Sequence, residues 1–159
     1  MNIRLATVRD IEQLVQLFRD TILTINRKDY NETQVNAWAD SSKNTDRLKT
    51  KLDEQYFIIA ENDSVITGFS SLTPAGYLDF MYVHKDHQHK GIATQLLNEI
   101  IKQALKWELP EITTDASITA KPFFEKCGFK VTAEQKVYII DVMLVNYKMH
   151  YIIKTNGAA

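Results

Sequence analysis

Between Tyr77 and Lys106 the spacing of apolar residues changes its period, and that change sets the local architecture. Tyr77-Leu-Asp-Phe-Met-Tyr-Val83 is dense in aromatic and apolar residues, as a strand is, with one carboxylate, Asp79, set among them. A polar stretch runs from His84 to Lys90 and ends at Gly91. From Ile92 the apolar positions Ile92, Leu96, Leu97, Ile100, Ile101, Ala104 and Leu105 recur at three-and-four spacing, the mark of an amphipathic helix. The unit is therefore strand, polar loop, glycine, long helix.

Such a unit has a physical use. The first turn of a helix leaves backbone N–H groups without partners, and the positive end of the helix dipole points the same way. A phosphate or pyrophosphate can sit there. Gly91 lets the main chain come close. Ala93 is small, Thr94 offers a hydroxyl, and Gln88 and Lys90 carry side-chain donors. A glycine that merely eases a strand-to-helix turn accounts for the same residues, so spacing alone leaves both readings open.

Other segments carry a resemblance. Gln88-His-Lys-Gly91-Ile-Ala93 is similar to the Q/R-x-x-G-x-G/A signature of the GNAT superfamily of acetyl-CoA-dependent N-acetyltransferases. Met81-Tyr82-Val83 resembles the hydrophobic strand end that precedes it there. Ala120-Lys-Pro-Phe-Phe-Glu-Lys-Cys-Gly-Phe129 resembles the family's A-x-x-F-Y-E-K-x-G-F segment, and Arg4, Ala6 and Asp10 match its usual opening. The resemblance spans about residues 2 to 150, with three motifs in order. It implies an α/β fold: one domain, a mixed and mostly antiparallel sheet flanked by helices, with parallel strands splayed at the cofactor site. The domain is expected over residues 1–154, with a loose tail from Thr155 to Ala159.

The resemblance also implies a reaction, acetyl transfer from acetyl-CoA to the primary amine of a small molecule or peptide in a ternary complex. The expected cofactor contacts are Met81, Tyr82, Val83, Gln88, His89, Lys90, Gly91, Ile92, Ala93, Thr94 and Phe124, with Ser117 where the family often has asparagine. The pantetheine arm would pair with the freed strand edge from Met81 to Val83, and the Tyr82 N–H would serve as oxyanion donor. An alkyl ammonium must lose a proton before it attacks, which suits a carboxylate base. Asp79 is the candidate base, with Tyr77 a second catalytic candidate beside it; Tyr77 and Met81 share its face by period-two alternation. Apolar neighbours would raise its pKa. A structural acid paired with a basic residue is the competing reading. Tyr30, Gln34 and Trp38 fall four residues apart, and in the family this region walls the acceptor site. Tyr30 and Trp38 are therefore candidate substrate contacts, or simply core aromatics.

One departure stands out. Phe124 occupies the position where the family often has a tyrosine beside the departing sulfur. Either the thiolate leaves unaided, or Tyr138, Thr119 or Ser117 substitutes. The missing hydroxyl keeps a second reading alive, a non-catalytic acyl-CoA sensor of the same fold.

At 159 residues and 45% hydrophobic content, one domain with a proper core is expected. A net charge of −1 offers no broad basic field for nucleic acid or anionic membrane. No apolar run approaches the roughly 20 residues of a membrane span. The single cysteine, Cys127, forms no internal disulfide and fits a reducing, cytoplasmic setting, with packing as its expected role. His84, His87 and His89 match no closed zinc pattern, so no metal is expected. A homodimer is left open. Thr7 is expected to cap the first helix with Asp10, and Thr119 to cap the helix containing Pro122.

Overall fold

The structure, a computed structural model, describes residues 1–154; the expected tail from Thr155 to Ala159 lies outside them. Seven strands form one sheet: β1 (Asn2–Leu5), β2 (Tyr56–Asn62), β3 (Val65–Leu72), β4 (Tyr77–Val83), β5 (Glu111–Ser117), β6 (Lys130–Ile139) and β7 (Val142–Ile152). Five helices cover it: α1 (Ile11–Thr24), α2 (Glu32–Asp40), α3 (Thr45–Glu54), α4 (Ile92–Lys106) and α5 (Lys121–Lys126). The strand order is β1-β2-β3-β4-β5-β7-β6, and every neighbouring pair is antiparallel except β4 and β5. This is the single mixed sheet that the sequence led us to expect.

Each face of the sheet buries one apolar layer. Leu96, Leu97, Ile100 and Ala104 of α4 pack with Leu78, Ile112 and Phe124 on one side. Leu14, Leu17, Phe18 and Ile22 of α1 pack with Phe57, Ile59 and Phe69 on the other. Gly68 is where α4 lies closest to the sheet: an added Cβ would stand 2.9 Å from Ile92 Cγ2 and 3.0 Å from the Tyr82 carbonyl oxygen.

Strand β1 is tied to the start of the first helical segment by charge. The Arg4 guanidinium bonds both oxygens of Asp10, each at 2.9 Å, and reaches Glu61 at 3.0 Å. Asp10 also accepts the Thr7 N–H at 2.8 Å, the expected capping box, here opening a 3-10 turn that runs into α1. The Arg4 bond holds the buried Asp10 carboxyl below its ordinary value, outweighing the opposing effect of burial. The folded state thus binds fewer protons than the unfolded chain. Its contribution is complete above the ordinary carboxylate value near about 4 and fades as the pH falls through the lowered folded value. Asp10→Asn is expected to lower the melting temperature at pH 7 and to flatten its decline below pH ~4.

Two hairpin turns and one helix cap complete the local structure. The β2–β3 turn is Asp63-Ser64, both with positive φ (50° and 67°), so Asn62 remains in the strand opposite Val65. The break between the last two strands falls at Ile140-Asp141. Thr119 does not cap α5: Ser117 Oγ accepts the Ala120 N–H at 3.0 Å, and the buried Thr119 hydroxyl has no partner.

Candidate active site

Parallel pairing between β4 and β5 is brief. Tyr77 pairs with Thr113 and Leu78 with Thr114, where the Thr114 hydroxyl donates to the Leu78 carbonyl at 2.9 Å. Beyond that point β5 continues along β7, and β4 continues along β3 alone. The departure coincides with a bulge. Ser71 lies opposite Phe80 and Leu72 opposite Leu78, so Asp79 is an extra residue without a partner on β3. A bulge bends its strand and changes the phase of its side chains.

That phase change and the β3–β4 hydrogen bonds each correct one expectation. Leu78, Met81 and Val83 pack with the α4 layer, whereas Phe80 and Tyr82 pack with the α1 layer. Met81 therefore does not share a face with Asp79, whose partners come from α3 on the α1 side. The second correction concerns the amides. The His84 N–H donates to Thr67 O on β3 at 2.8 Å, and antiparallel alternation then turns the Tyr82 N–H to β3 as well. The free edge belongs to Met81 and Val83. Consistently, the Val83 carbonyl accepts from the Thr21 hydroxyl at 3.0 Å and from Gln88 Nε2 at 2.7 Å, both off the sheet.

The loop after β4 closes on α4. His89 and Gly91 both have left-handed φ, 59° and 79°, and Gly91 is the N-cap. The first bond of the helix runs from the Gln95 N–H to Gly91 O at 3.1 Å, which leaves the Ile92, Ala93 and Thr94 amides without an intrahelical acceptor. An added Cβ at Gly91 would meet nothing within 4 Å. The turn thus favours glycine for its backbone angle, and the space above it is open. Gln88 spends its amide on the carbonyls of Val83 and His84 instead of pointing to the helix end. His89 and Lys90 are exposed. The His84 and His87 rings meet edge-on at 5.1 Å, and burial foremost, with Lys90 next, lowers the His87 pKa.

Two clefts flank the gap. One, of about 640 Å³, runs from the Gly91 turn along Met81–Val83 to Ser117, Thr119 and Phe124. Lys28 and Lys85 also line it, two cations the sequence did not single out. The other, of about 960 Å³, lies between α1, α2, α3 and the tip of the β6–β7 hairpin. Trp38, Asp79 and Tyr82 line both, so the clefts meet at these three side chains. Phe124 is buried among Phe123 and Phe129 and brings no hydroxyl to the wall.

Asp79 is paired. Its Oδ2 accepts from Lys51 Nζ at 2.8 Å and from Gln55 Nε2 at 2.9 Å, and Oδ1 takes no bond from a described side chain. Lys51 also stands over the Phe80 ring, 4.7 Å from its centroid. Neither Lys51 nor Gln55 was singled out by the sequence. Burial foremost pushes the Tyr82 phenol pKa well up, with a Trp38 side-chain bond pulling the other way. Tyr77 and Tyr30 stand apart from both clefts. The Tyr77 hydroxyl donates to Asp115 Oδ2 at 2.8 Å, and burial together with that bond keeps it protonated. Asp115 in turn accepts from Gln135 at 2.8 Å, so Tyr77 braces β4 against β5 and β6. Tyr30 is 6% exposed, and its hydroxyl donates to Val145 O at 2.7 Å while accepting the Ile118 N–H at 2.9 Å. It supports Trp38 edge-on at 5.4 Å instead of meeting a ligand itself.

A family model described as an acetyltransferase (GNAT) domain matches residues 26–151. The chain belongs to the GNAT acetyltransferase family. The uncharacterized N-acetyltransferase YafP of Escherichia coli (strain K12) is 32% identical over 142 residues, 89% of this chain and 89% of that protein. A GCN5-related N-acetyltransferase from Rhodopseudomonas palustris superposes with a TM-score of 0.92 at 28% identity, covering 96% of this chain and 95% of that one. The PaiA N-acetyltransferase from Thermoplasma acidophilum, solved with coenzyme A, has a TM-score of 0.81 at 22% identity, over 96% and 98% of the two chains. Among the described residues, no helix of this GNAT domain is long and apolar enough to cross a membrane.

Proposed function

We propose that this GNAT chain moves an acetyl group from acetyl-CoA to a primary amine by direct attack, with both substrates bound at once. The observation that carries this reading is the meeting of two clefts at Trp38, Asp79 and Tyr82, in the gap where β4 leaves β5. A donor in one cleft and an acceptor in the other touch only there.

The chain's own groups fit the tasks. The unpaired amides of Ile92, Ala93 and Thr94, beside Lys28 and Lys85, suit a diphosphate. The free edge at the Met81 backbone and the Val83 N–H suits the amide groups of a pantetheine arm, as a strand would pair, the Val83 carbonyl being taken by Thr21 and Gln88. Acetyl-CoA, as co-substrate, supplies the activated acyl group. The Met81 N–H then faces the carbonyl oxygen on which negative charge develops. Asp79 Oδ1 accepts the proton that the attacking ammonium must shed, while Lys51 and Gln55 hold Oδ2. The sulfur leaves toward the α5 side as a thiolate, which a thiol near pKa ~8.5 allows without a protein acid; the unpartnered Thr119 hydroxyl is the hydrogen-bond donor on that side, since Ser117 is engaged at Ala120 and Tyr138 lines the other cleft. One observation favours the sensor reading: Asp79 is already held in an ion pair, and Phe124 offers no acid.

Release of free thiol from acetyl-CoA that depends on added amine tests the proposal. Thiol release is expected, and binding of coenzyme A without it for any amine supports the sensor. Thr119→Val is expected to slow release by on the order of tenfold, the scale of one hydrogen bond to the charged leaving sulfur. The same variant should leave the melting temperature unchanged or slightly higher, since it removes a buried hydroxyl without a partner.

A further inference from the structure

The acceptor cleft has an unusual charge arrangement. Three carboxylates line it, and two are already neutralised: Asp79 by Lys51 at 2.8 Å, Asp40 by Arg19 at 3.1 Å and Lys43 at 3.6 Å. The third, Asp141, stands exposed at the rim, on the same wall as Arg47. A polyamine or an aminoglycoside carries several ammonium groups, each of which needs an unengaged acceptor once water is removed. Away from the exposed residues Asp40 and Asp141, Asp79 Oδ1 is the one carboxylate oxygen of the cleft without a partner among the described side chains. Ser41, Ser42 and Asn44, between α2 and α3, and Arg47 bring further polar side chains, and Leu14, Phe18, Trp38, Phe80 and Tyr82 form the apolar and aromatic part.

The hairpin tip adds an independent observation. Ile140 begins the two-residue turn between Ile139 and Val142, which pair with each other. Its φ is 55°, a conformation in which a β-branched residue is a genuine outlier and for which such turns ordinarily use glycine. It is also 91% exposed, beside Tyr138 at 66%. Strain and exposure of an apolar side chain serve neither folding nor solubility, and both residues line the acceptor cleft.

Taking the acetyl-transfer reading as its basis, we infer that the acceptor is a small monoamine on an apolar, aromatic-sized body, which the Tyr138–Ile140 hairpin tip covers. The single ammonium meets Asp79 Oδ1 at the junction of the clefts. The body lies along Phe18, Trp38 and Phe80, and Ile140 is kept in its strained position to close over the outer side. A cleft of about 960 Å³ is ample for such a molecule.

The experiment compares 2-phenylethylamine with spermidine, kanamycin and a polar hexapeptide as acceptors, in wild type and in Ile140→Gly. For 2-phenylethylamine, kcat/KM is expected to exceed that for each of the others by at least about tenfold. Ile140→Gly should raise the melting temperature, because the turn strain is relieved. It should also raise the KM for 2-phenylethylamine by about tenfold, the scale of losing one apolar contact, with the KM for acetyl-CoA unchanged. Preference for spermidine, kanamycin or the hexapeptide overturns the inference, as does an unaltered amine KM in Ile140→Gly. Binding of coenzyme A with no turnover of 2-phenylethylamine also overturns it. Absence of coenzyme A binding instead strikes the acetyl-transfer reading beneath it.

Discussion

Replacing Asp79 with asparagine is expected to lower kcat for acetyl transfer by about 10²–10³-fold, within the range that a general base contributes. The amide keeps the shape and can still bond Lys51 and Gln55, but it cannot take a proton. The melting shift induced by coenzyme A should persist, because the helix-end amides at Ile92 to Thr94 lie elsewhere in the donor cleft. Asp79→Asn also leaves the half-buried Lys51 facing a neutral partner, so a stability loss on the order of 1–2 kcal/mol is expected, between the exposed-pair and buried-pair limits. A purely structural Asp79 predicts the opposite pattern: the stability loss appears and the rate per folded molecule does not change. Measuring kcat and melting temperature on the same preparations separates the two.

Gly91→Asp should abolish coenzyme A binding in practice, weakening it by about a hundredfold or more, while the protein stays folded. Aspartate is among the few residues that tolerate left-handed φ, and it is a favoured helix N-cap. Its Cβ meets nothing within 4 Å at this position. What changes is charge: a carboxylate now sits where the helix end would receive a diphosphate. Gly91→Asn has nearly the same shape without the charge and should lose far less. Calorimetric titration of both variants reads the difference. Equal weakening by the two would point to backbone geometry instead of anion binding.

The parts of this site that local residue pattern encodes were legible in the sequence; the parts set by pairing across the fold were not. The switch of period around Gly91 located the helix end, its open backbone and the strand before it. The bulge at Asp79 has no residue signature, since neither glycine nor proline marks it, and period-two counting carried straight through it. That single extra residue placed Met81 on the wrong face, whereas the oxyanion role went to the Tyr82 amide by resemblance, with nothing in the residues to say which amides β3 takes up. The partners of Asp79, Lys51 and Gln55, sit 28 and 24 residues earlier on α3 and just past its end, in a segment whose apolar pattern is sparse. Nothing local announces that contact. Tyr30 and Trp38 share one spacing yet part company in the fold, because only Tyr30 finds two backbone groups to bond between β5 and β7. The Ile140 turn escaped for a related reason: it lacks the Asn-Gly or Gly signal by which such hairpins are recognised.

A crystal structure with coenzyme A bound would test most directly whether the β4–β5 gap and the Gly91 turn form the donor site. Pyrophosphate oxygens are expected within about 3.2 Å of backbone amides between Gly91 and Thr94, with the pantetheine arm paired to Met81 and Val83 and the sulfur directed toward Asp79. Coenzyme A lodged elsewhere, or with its diphosphate away from that helix end, would contradict the assignment of both clefts.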